Sequence, residues 1–166
     1  MLIHPSILLL LLITATGYSI PNQFLDRGSG RLETAPTTNL VMAFNLNSYQ
    51  WKNRLLLVFA PSENSPDYKR QMQLLKGQEA GFPERDLLLI EVFTEGTSRA
   101  LGKTLDQADV DSIRKQFNIN PQEFQTVLVG KDGKSKRRDQ KPVLPEVIFQ
   151  VIDAMPMRQR EMHRGN

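Results

Sequence analysis

Two mainly apolar runs dominate the middle of the chain, at residues 54–60 and 85–93. Runs of this length without alternation are typical of strands buried on both faces of a parallel or mixed sheet. A shorter run at residues 124–129 predicts a third strand. The tight-turn string Lys131-Asp132-Gly133-Lys134 then predicts a hairpin into a short fourth strand.

Apolar residues at helical spacing lie between and after these runs. The first helix is predicted to begin at Ser65, as its cap, and to end by Gly81. A second is predicted to be capped by Asp106 and a third to open at Pro145, with a polar loop at residues 94–105. Their predicted buried faces are Tyr68, Met72 and Leu75, then Val110, Ile113 and Phe117, then Val147, Ile148, Val151 and Ile152.

The resulting order, βαβαββα, predicts an α/β fold. Two strand–helix–strand units followed by a hairpin and a closing helix give a central mixed four-stranded sheet with helices on both faces. This order matches the thioredoxin core, so we expect a thioredoxin-like three-layer sandwich.

The N-terminal segment resembles an export signal. Residues 7–13 are apolar and are followed by Thr14-Ala15-Thr16-Gly17, which predicts cleavage after Gly17. The run is shorter than the ~20 residues of a membrane-spanning helix, although a retained N-terminal anchor is the alternative. We therefore expect a signal peptide at residues 1–17, a leader at 18–48 and one domain at 49–162, exported to the periplasm or the extracellular space without a stable membrane span.

The composition excludes one large class of chemistry. The chain has no cysteine, and thioredoxin-type enzymes react through a thiolate. A formal charge of +3 and a pI near 9.3 are only mildly basic. Nucleic acid is a disfavoured partner because export is predicted and the basic residues have no interleaved aromatic residues.

Several strings resemble a secreted family of domains of unknown function. They include the run from Tyr49 to Pro61, Arg85-Asp86-Leu87, Leu128 to Gly133, and Met155-Pro156-Met157-Arg158 with Glu161-Met162. That family occurs as single-domain bacterial proteins and within vertebrate sushi-repeat-containing and related matrix proteins, and it is described as peroxiredoxin-like. The resemblance implies the fold but no settled activity and no cofactor.

The superfamily site would lie between the first strand and the first helix. Here that loop has no thiol, and Gln125 stands where the superfamily has a cis proline. Free N–H groups at the helix start favour an anion, although a capped helix after a solvated loop is the simpler interpretation, which we favour. The candidate cleft comprises Arg54, Ser62, Glu63, Asn64, Ser65 and Arg85.

A second candidate is a docking surface for a polyanion or a protein partner. Basic residues cluster on the predicted hairpin, and methionines surround Pro156. The alternative is a solvated hairpin whose charges protect an edge strand. The candidate surface comprises Lys134, Lys136, Arg137, Arg138, Met157, Arg158 and Met162.

Other chemistry has weaker support. Asp106, Asp109 and Asp111 lack the spacing of a calcium loop, so no metal site is expected. A serine hydrolase would need His163 to reach the Ser62–Ser65 loop. Trp51, the only tryptophan, is expected to anchor the core.

The sequence therefore leads to two functional hypotheses. The first, which we favour, is a non-catalytic binding or adaptor domain. The second is a cysteine-independent redox-related or hydrolytic enzyme at the Ser62–Ser65 loop.

Overall fold

The computed structural model describes residues 44–164, so the predicted signal peptide and most of the predicted leader lie outside the described residues. A 3₁₀ helix (Leu46–Tyr49) leads into the domain. The strands are β1 (Arg54–Ser62), β2 (Leu87–Glu95), β3 (Arg99–Ala100), β4 (Lys103–Thr104), β5 (Gln125–Val129) and β6 (Ser135–Asp139). The helices are α1 (Pro66–Leu75), α2 (Gly81–Glu84), α3 (Gln107–Phe117), α4 (Pro145–Asp153) and α5 (Pro156–Arg164).

The six strands form one mixed sheet in the order β4-β3-β2-β1-β5-β6. The central strand β1 runs parallel to β2, with Arg54 opposite Leu87, and antiparallel to β5, with Leu55 opposite Val129. Because β1 has strands on both sides and helices on both faces, the residues from Leu55 to Ala60 are all buried. This explains the uninterrupted apolar run in the sequence.

The alternation of side chains along β1 divides the core into two clusters. Leu55, Leu57 and Phe59 pack with residues of α3 on one face of the sheet. Leu56 and Val58 pack with residues of α1 and α4 on the other face. The middle of β1 is therefore covered by apolar side chains on both faces, and the polar residues of the strand, Arg54 and Ser62, are at its two ends.

The thioredoxin-like α/β fold is confirmed, but the sheet has six strands rather than four. The additional strands, β3 and β4, lie in the segment predicted to be a loop. Ser98 holds that segment against β2, since its Oγ accepts a hydrogen bond from the N–H of Phe93 at 2.8 Å. The N–H of Leu105 then donates to the carbonyl of Ser98 at 3.0 Å.

The predicted helices differ from the observed ones mainly at their ends. Asp106 caps α3 as expected, with its Oδ1 accepting from the N–H of Asp109 at 2.8 Å. The first helix ends at Leu75, and Gly81 begins the short α2 instead of terminating α1. A further helix, α5, follows α4. Within residues 44–164, no helix combines the length and apolarity needed to span a membrane.

Candidate functional site

The Ser62–Ser65 loop follows the carboxyl end of β1, where the thioredoxin-like fold has its reactive group. Its two hydroxyl oxygens accept hydrogen bonds from the loop itself. Ser65 Oγ accepts from the N–H of Ser62 at 3.1 Å, and Ser62 Oγ accepts from the N–H of Asn64 at 3.3 Å. Ser65 precedes α1 but makes no side-chain cap bond to it. The serines therefore shape a turn.

Charged neighbours that the sequence did not single out surround this loop. Arg99 on β3 donates to Glu63 at 2.6 Å and lies 4.0 Å from Glu91. The hydroxyl of Tyr68 donates to Glu91. Burial and this hydrogen bond raise the pKa of Tyr68 above its usual range, so the phenol stays protonated. The loop carboxylate of Glu63 is thus already paired.

The arginines of the candidate cleft are at the opposite end of the sheet. Arg54 begins β1 and Ser62 ends it, so the two lie roughly 26 Å apart at about 3.3 Å per residue. Arg85 is beside Arg54, whose Nη1 donates to the Arg85 carbonyl at 2.9 Å. The structure brings Arg54 and Arg85 together but does not bring either to the Ser62–Ser65 loop. No side chain on that loop gains a cationic partner from them.

The end of the sheet at which β1 and β2 begin, here called the amino-terminal pole, contains a partly buried ion-pair cluster. Arg54 is 0% exposed, and its Nη2 pairs with Glu161 of α5 at 3.1 Å. Lys131 Nζ pairs with Glu161 at 2.8 Å and with Asp86 at 2.7 Å. Burial alone would raise the pKa of Glu161, but the hydrogen bond from Lys131 and the charge of Arg54 outweigh it and lower that pKa.

A second group of ion pairs continues the cluster along the two closing helices. Asp153 at the end of α4 accepts from Arg85 at 2.7 Å and from Arg158 at 3.2 Å. Burial opposes its ionisation, yet these two hydrogen bonds lower the pKa of Asp153 overall. The guanidinium of Arg85 also lies 4.5 Å from the ring centre of Phe149. These contacts hold α4 and α5 to the sheet.

His163 belongs to this pole as well, because α5 is attached there through Glu161. Its Nδ1 is close to the carbonyl of Gln159 within the same helix. A hydrolytic triad with Ser62 would need this imidazole at the other end of β1. Within residues 44–164, the structure therefore offers the Ser62–Ser65 loop no histidine base.

A cavity of about 480 Å³ opens beside the ion-pair cluster. Arg54, Lys131 and Lys136 line one side of it, and Val151, Met155 and Met157 form the apolar side. The Gly130–Gly133 turn and the Met155–Arg158 string, which are far apart in the sequence, thus form one surface. The sequence singled out both strings, but it contained no signal that they meet.

The structure separates the basic residues of the hairpin. Arg137 and Arg138 are consecutive in β6 and therefore point to opposite faces of the sheet. Arg138 donates to the carbonyl of Phe117 at 2.8 Å on the α3 face, whereas Arg137 pairs with Asp139 at 2.6 Å. Lys134 is exposed in the turn. The four basic hairpin residues of the candidate docking surface, Lys134, Lys136, Arg137 and Arg138, therefore do not form one patch.

The C-terminal members of the candidate docking surface also lie in different environments. Met157 lines the cavity, and Met162 is half-buried on α5. Arg158 is only 9% exposed, and its guanidinium is committed to Asp153. Lys136 and Met157 are the two members that the structure brings to one concave surface.

Trp51 does not anchor the core as expected, since it is 63% exposed. It occupies a turn with φ of 66°, a left-handed conformation that is unusual for a bulky residue. Its N–H donates to the carbonyl of Lys131 at 2.6 Å. This bond attaches the Trp51 turn to the Gly130–Gly133 turn, so an exposed indole lies at the amino-terminal pole.

Two solved structures illustrate the fold. A reduced 2-Cys peroxiredoxin of Plasmodium vivax superposes with a TM-score of 0.56 at 18% identity, covering 70% of this chain and 72% of the peroxiredoxin. A thiol:disulfide interchange protein from Bacteroides sp. gives a TM-score of 0.52 at 14% identity, covering 73% and 84%. The fold is thus that of thiol redox proteins, but the chain has no cysteine and is not a thiol redox enzyme.

Sequence relatives are longer proteins. The human sushi repeat-containing protein SRPX is 31% identical over 120 residues, which is 70% of this chain and 26% of that protein. The Xenopus laevis SRPX2 is 27% identical over 150 residues (84% and 32%), and the coiled-coil domain-containing protein 80 of Danio rerio is 29% identical over 133 residues (70% and 15%). The chain spans about a third or less of these curated relatives.

The family model described as "Domain of unknown function (DUF4174)" matches residues 45–161. This range includes every element from the 3₁₀ helix to α5, except for the last residues of α5. The resemblance inferred from the sequence strings is confirmed. The chain belongs to the DUF4174 family.

Proposed function

We propose that this chain is an exported, non-catalytic binding domain that uses the amino-terminal pole of a thioredoxin-like fold. The observation that carries the proposal is the cavity between the Gly130–Gly133 turn and the α4–α5 junction, lined by basic and apolar side chains. Concave, mainly apolar surfaces with a few converging polar groups are the usual form of binding sites. Exposed Trp51 lies on the same pole, and tryptophan is enriched among residues that dominate binding energies.

The carboxyl end of β1 supports the non-catalytic part of the proposal. Disulfide exchange and cysteine-based peroxide reduction need a thiolate, and the chain contains no cysteine. The hydroxyl oxygens of Ser62 and Ser65 are bound within their own turn, and Glu63 is paired with Arg99. A nucleophile there would need a base within hydrogen-bond reach.

Export is the first part of the proposal to test. In this proposal, residues 1–17 are a signal peptide that is cleaved after Gly17. Residues 18–48 are a leader that precedes the domain at 49–162. N-terminal sequencing of the protein from its own host is expected to begin at Tyr18. An intact Met1 on membrane-bound material would instead support the N-terminal anchor.

The enzyme alternative is tested with purified protein. We expect no insulin reduction, no peroxide turnover and no ester hydrolysis above a heat-inactivated control. The double variant Ser62→Ala/Ser65→Ala serves as the diagnostic. Turnover by the wild type that this variant loses would overturn the proposal and establish a cysteine-independent enzyme at the loop.

The partner is proposed to be a polyanion or an acidic protein surface, because Lys134, Lys136 and Arg160 are all exposed on the turn, strand and helix that belong to this pole. An isotope-labelled sample titrated with a heparin oligosaccharide is expected to show NMR shift changes at residues 131–136 and 155–164. The changes should diminish with salt, since exposed charges are screened over ~10 Å at 0.1 M. Shift changes confined to residues 62–65 would contradict the assignment of the pole.

A further inference from the structure

We propose that residues 40–43, within the predicted leader, form an additional strand on the open outer edge of β2. The inference goes beyond the proposed function, which uses the cavity between the Gly130–Gly133 turn and the α4–α5 junction and not this edge. The occupant is a segment of the same chain that lies outside the described residues. The edge that it covers is that of residues 87–89, at the start of β2.

The outer side of β2 is covered for only part of its length. The neighbouring strand β3 pairs with β2 at two residues, Ile90 and Glu91, whereas β1 pairs with β2 from Leu87 onward. Within the described part of the chain, residues 87–89 therefore have a strand on one side only. An unpaired edge of this kind is a template for another extended segment.

The backbone groups on this edge can form a ladder with a further strand. The N–H of Arg54 donates to the carbonyl of Asp86 at 2.8 Å, so Asp86 turns its carbonyl toward β1. Successive residues of a strand direct their backbone groups to alternate sides, so those of Leu87 face outward and those of Leu88 face β1. The N–H of Leu87 is therefore directed to the place where the added strand would lie.

An apolar groove of about 690 Å³ runs along the same edge. Met72 and Leu75 of α1, Phe82 of α2 and residues 87–89 all contribute to its lining. Neighbouring residues of a strand point to opposite faces of the sheet. Because three consecutive residues line the groove, it follows the edge of the strand rather than one face. An added strand would place apolar side chains in it.

An exposed leucine lies beside this edge. Ala100 is opposite Ile90 in the β2–β3 register, so Leu101 comes next, at the level of Leu89. Leu101 is 47% exposed and has φ of 54°, a left-handed conformation that is uncommon for a bulky residue. A strand added along residues 87–89 would end against this side chain and cover it.

The residues that precede Phe44 match the edge in character and length. Residues 40–43 read Leu-Val-Met-Ala, and with Phe44 they form an apolar run between the polar residues 37–39 and Asn45. Short apolar runs with such boundaries are typical of strands. The run contains no proline, so every N–H can donate to a ladder. Four extended residues span about 13 Å, enough for the roughly 10 Å of residues 87–89.

The start of the described chain holds this segment near the edge. The N–H of Phe44 donates to Oδ1 of Asp109 on α3 at 2.8 Å, and its ring lies 5.7 Å from that of Tyr49. Phe44 and Leu88 pack against the same core cluster, on the α3 face of the sheet. Attachment to the same chain gives the segment an effective concentration on the order of mM, which favours it over a second copy of the protein.

The test is NMR spectroscopy of isotope-labelled protein that begins at Tyr18 and so keeps the whole leader. Nuclear Overhauser contacts are expected between backbone protons of residues 40–43 and those of residues 87–89. The variant Leu40→Ser/Val41→Ser/Met42→Ser should accelerate hydrogen exchange of the Leu87 amide at least about tenfold, because local opening then exposes it. The Leu88 amide, which faces β1, should stay slow.

The matched control Ile20→Ser/Phe24→Ser/Leu25→Ser removes three apolar side chains from an earlier part of the leader and should leave both amides unchanged. Absence of the contacts in the wild type would overturn the inference, and this result stands even if a variant fails to fold. Equal exchange in the two variants would also overturn it. Leu87 protection that disappears on dilution would assign the edge to a second copy and reject the inference. The heparin titration tests the proposed function independently of these outcomes.

Discussion

Arg54 and Glu161 are 107 positions apart in the sequence, and their side chains form an ion pair of 3.1 Å at the buried start of the central strand. The arginine is inaccessible to solvent, so the carboxylate of α5 and the carbonyl of Arg85 replace its hydration. Buried ion pairs add little net stability, but removal of one partner leaves the other charge uncompensated. This relationship makes α5 part of the domain rather than a free tail.

The substitution Glu161→Ala is therefore expected to destabilise the domain strongly. It leaves Arg54 buried without a carboxylate and removes one of the two partners of Lys131. We expect a loss of roughly 2–3 kcal/mol in the free energy of unfolding, below the 3–5 kcal/mol of fully buried pairs because Glu161 is partly exposed. Urea denaturation measures it. The control Glu123→Ala, at an exposed loop position, should shift stability by no more than ~0.5 kcal/mol.

Acid should weaken the same cluster. The folded-state pKa values of Glu161 and Asp153 lie below their ordinary values of 4.5 and 3.8. A carboxyl with a depressed pKa stabilises the fold above its unfolded pKa, and this contribution disappears as pH falls through the folded value. Melting temperature should therefore be steady near neutral pH and fall below about pH 4.5.

The variant Glu161→Gln isolates one contribution to that acid response. It should have a lower melting temperature at neutral pH and a shallower decline in acid than the wild type. Circular dichroism melts at closely spaced pH values provide the comparison. An unchanged acid slope in this variant would mean that the pairs with Arg54 and Lys131 do not govern acid stability.

Arg138 and Lys134 should behave differently although both belong to the basic hairpin. Arg138 donates to the carbonyl of Phe117 and its guanidinium lies 5.8 Å from the centre of that ring. Arg138→Gln should cost about 1–2 kcal/mol in unfolding free energy, through the lost charged hydrogen bond and cation–π contact. Lys134→Gln, at an exposed position, should change stability by less than ~0.5 kcal/mol. Equal effects would contradict the structural role assigned to Arg138.

Gln71 connects α1 to the segment before α4 through two hydrogen bonds. Its Nε2 donates to the carbonyl of Val143 at 3.0 Å, and its Oε1 accepts from the N–H of Val143 at 2.8 Å. Gln71→Leu should cost about 2–4 kcal/mol, because two buried backbone groups lose their partners. Gln73→Leu, the same change at an exposed position of α1, is the matched control in equilibrium unfolding.

The elements predicted correctly are those buried through apolar side chains. The runs that became β1 and β2, and the spacing of Val110, Ile113 and Phe117 in α3, follow directly from packing against the sheet. The short strands β3 and β4 have no such signal, because backbone hydrogen bonds and Ser98 hold them. Helix α5 is mainly polar, and its buried residue Arg158 is held by ion pairs. Apolar periodicity cannot detect burial of that kind.

The candidate site could be predicted only in part. The Gly130–Gly133 and Met155–Arg158 strings were identified, but their contact depends on the path of the chain between them. The proposed partnership of Arg54 with Ser62 could have been rejected from the sequence, since eight positions of one extended strand separate them. Trp51 could not be placed, because its exposure follows from a left-handed turn that residue type alone does not reveal.

The attachment of α5 to the start of β1 has a consequence for synthesis on the ribosome. Arg54 is translated early in the domain, and the carboxylate that neutralises it arrives 107 residues later. Until then, burying β1 leaves the Arg54 guanidinium without its carboxylate partner, so the central strand is packed less stably before the closing helix emerges. Chains still being translated should remain loosely packed and sensitive to proteases, and should reach the native state in a single late step.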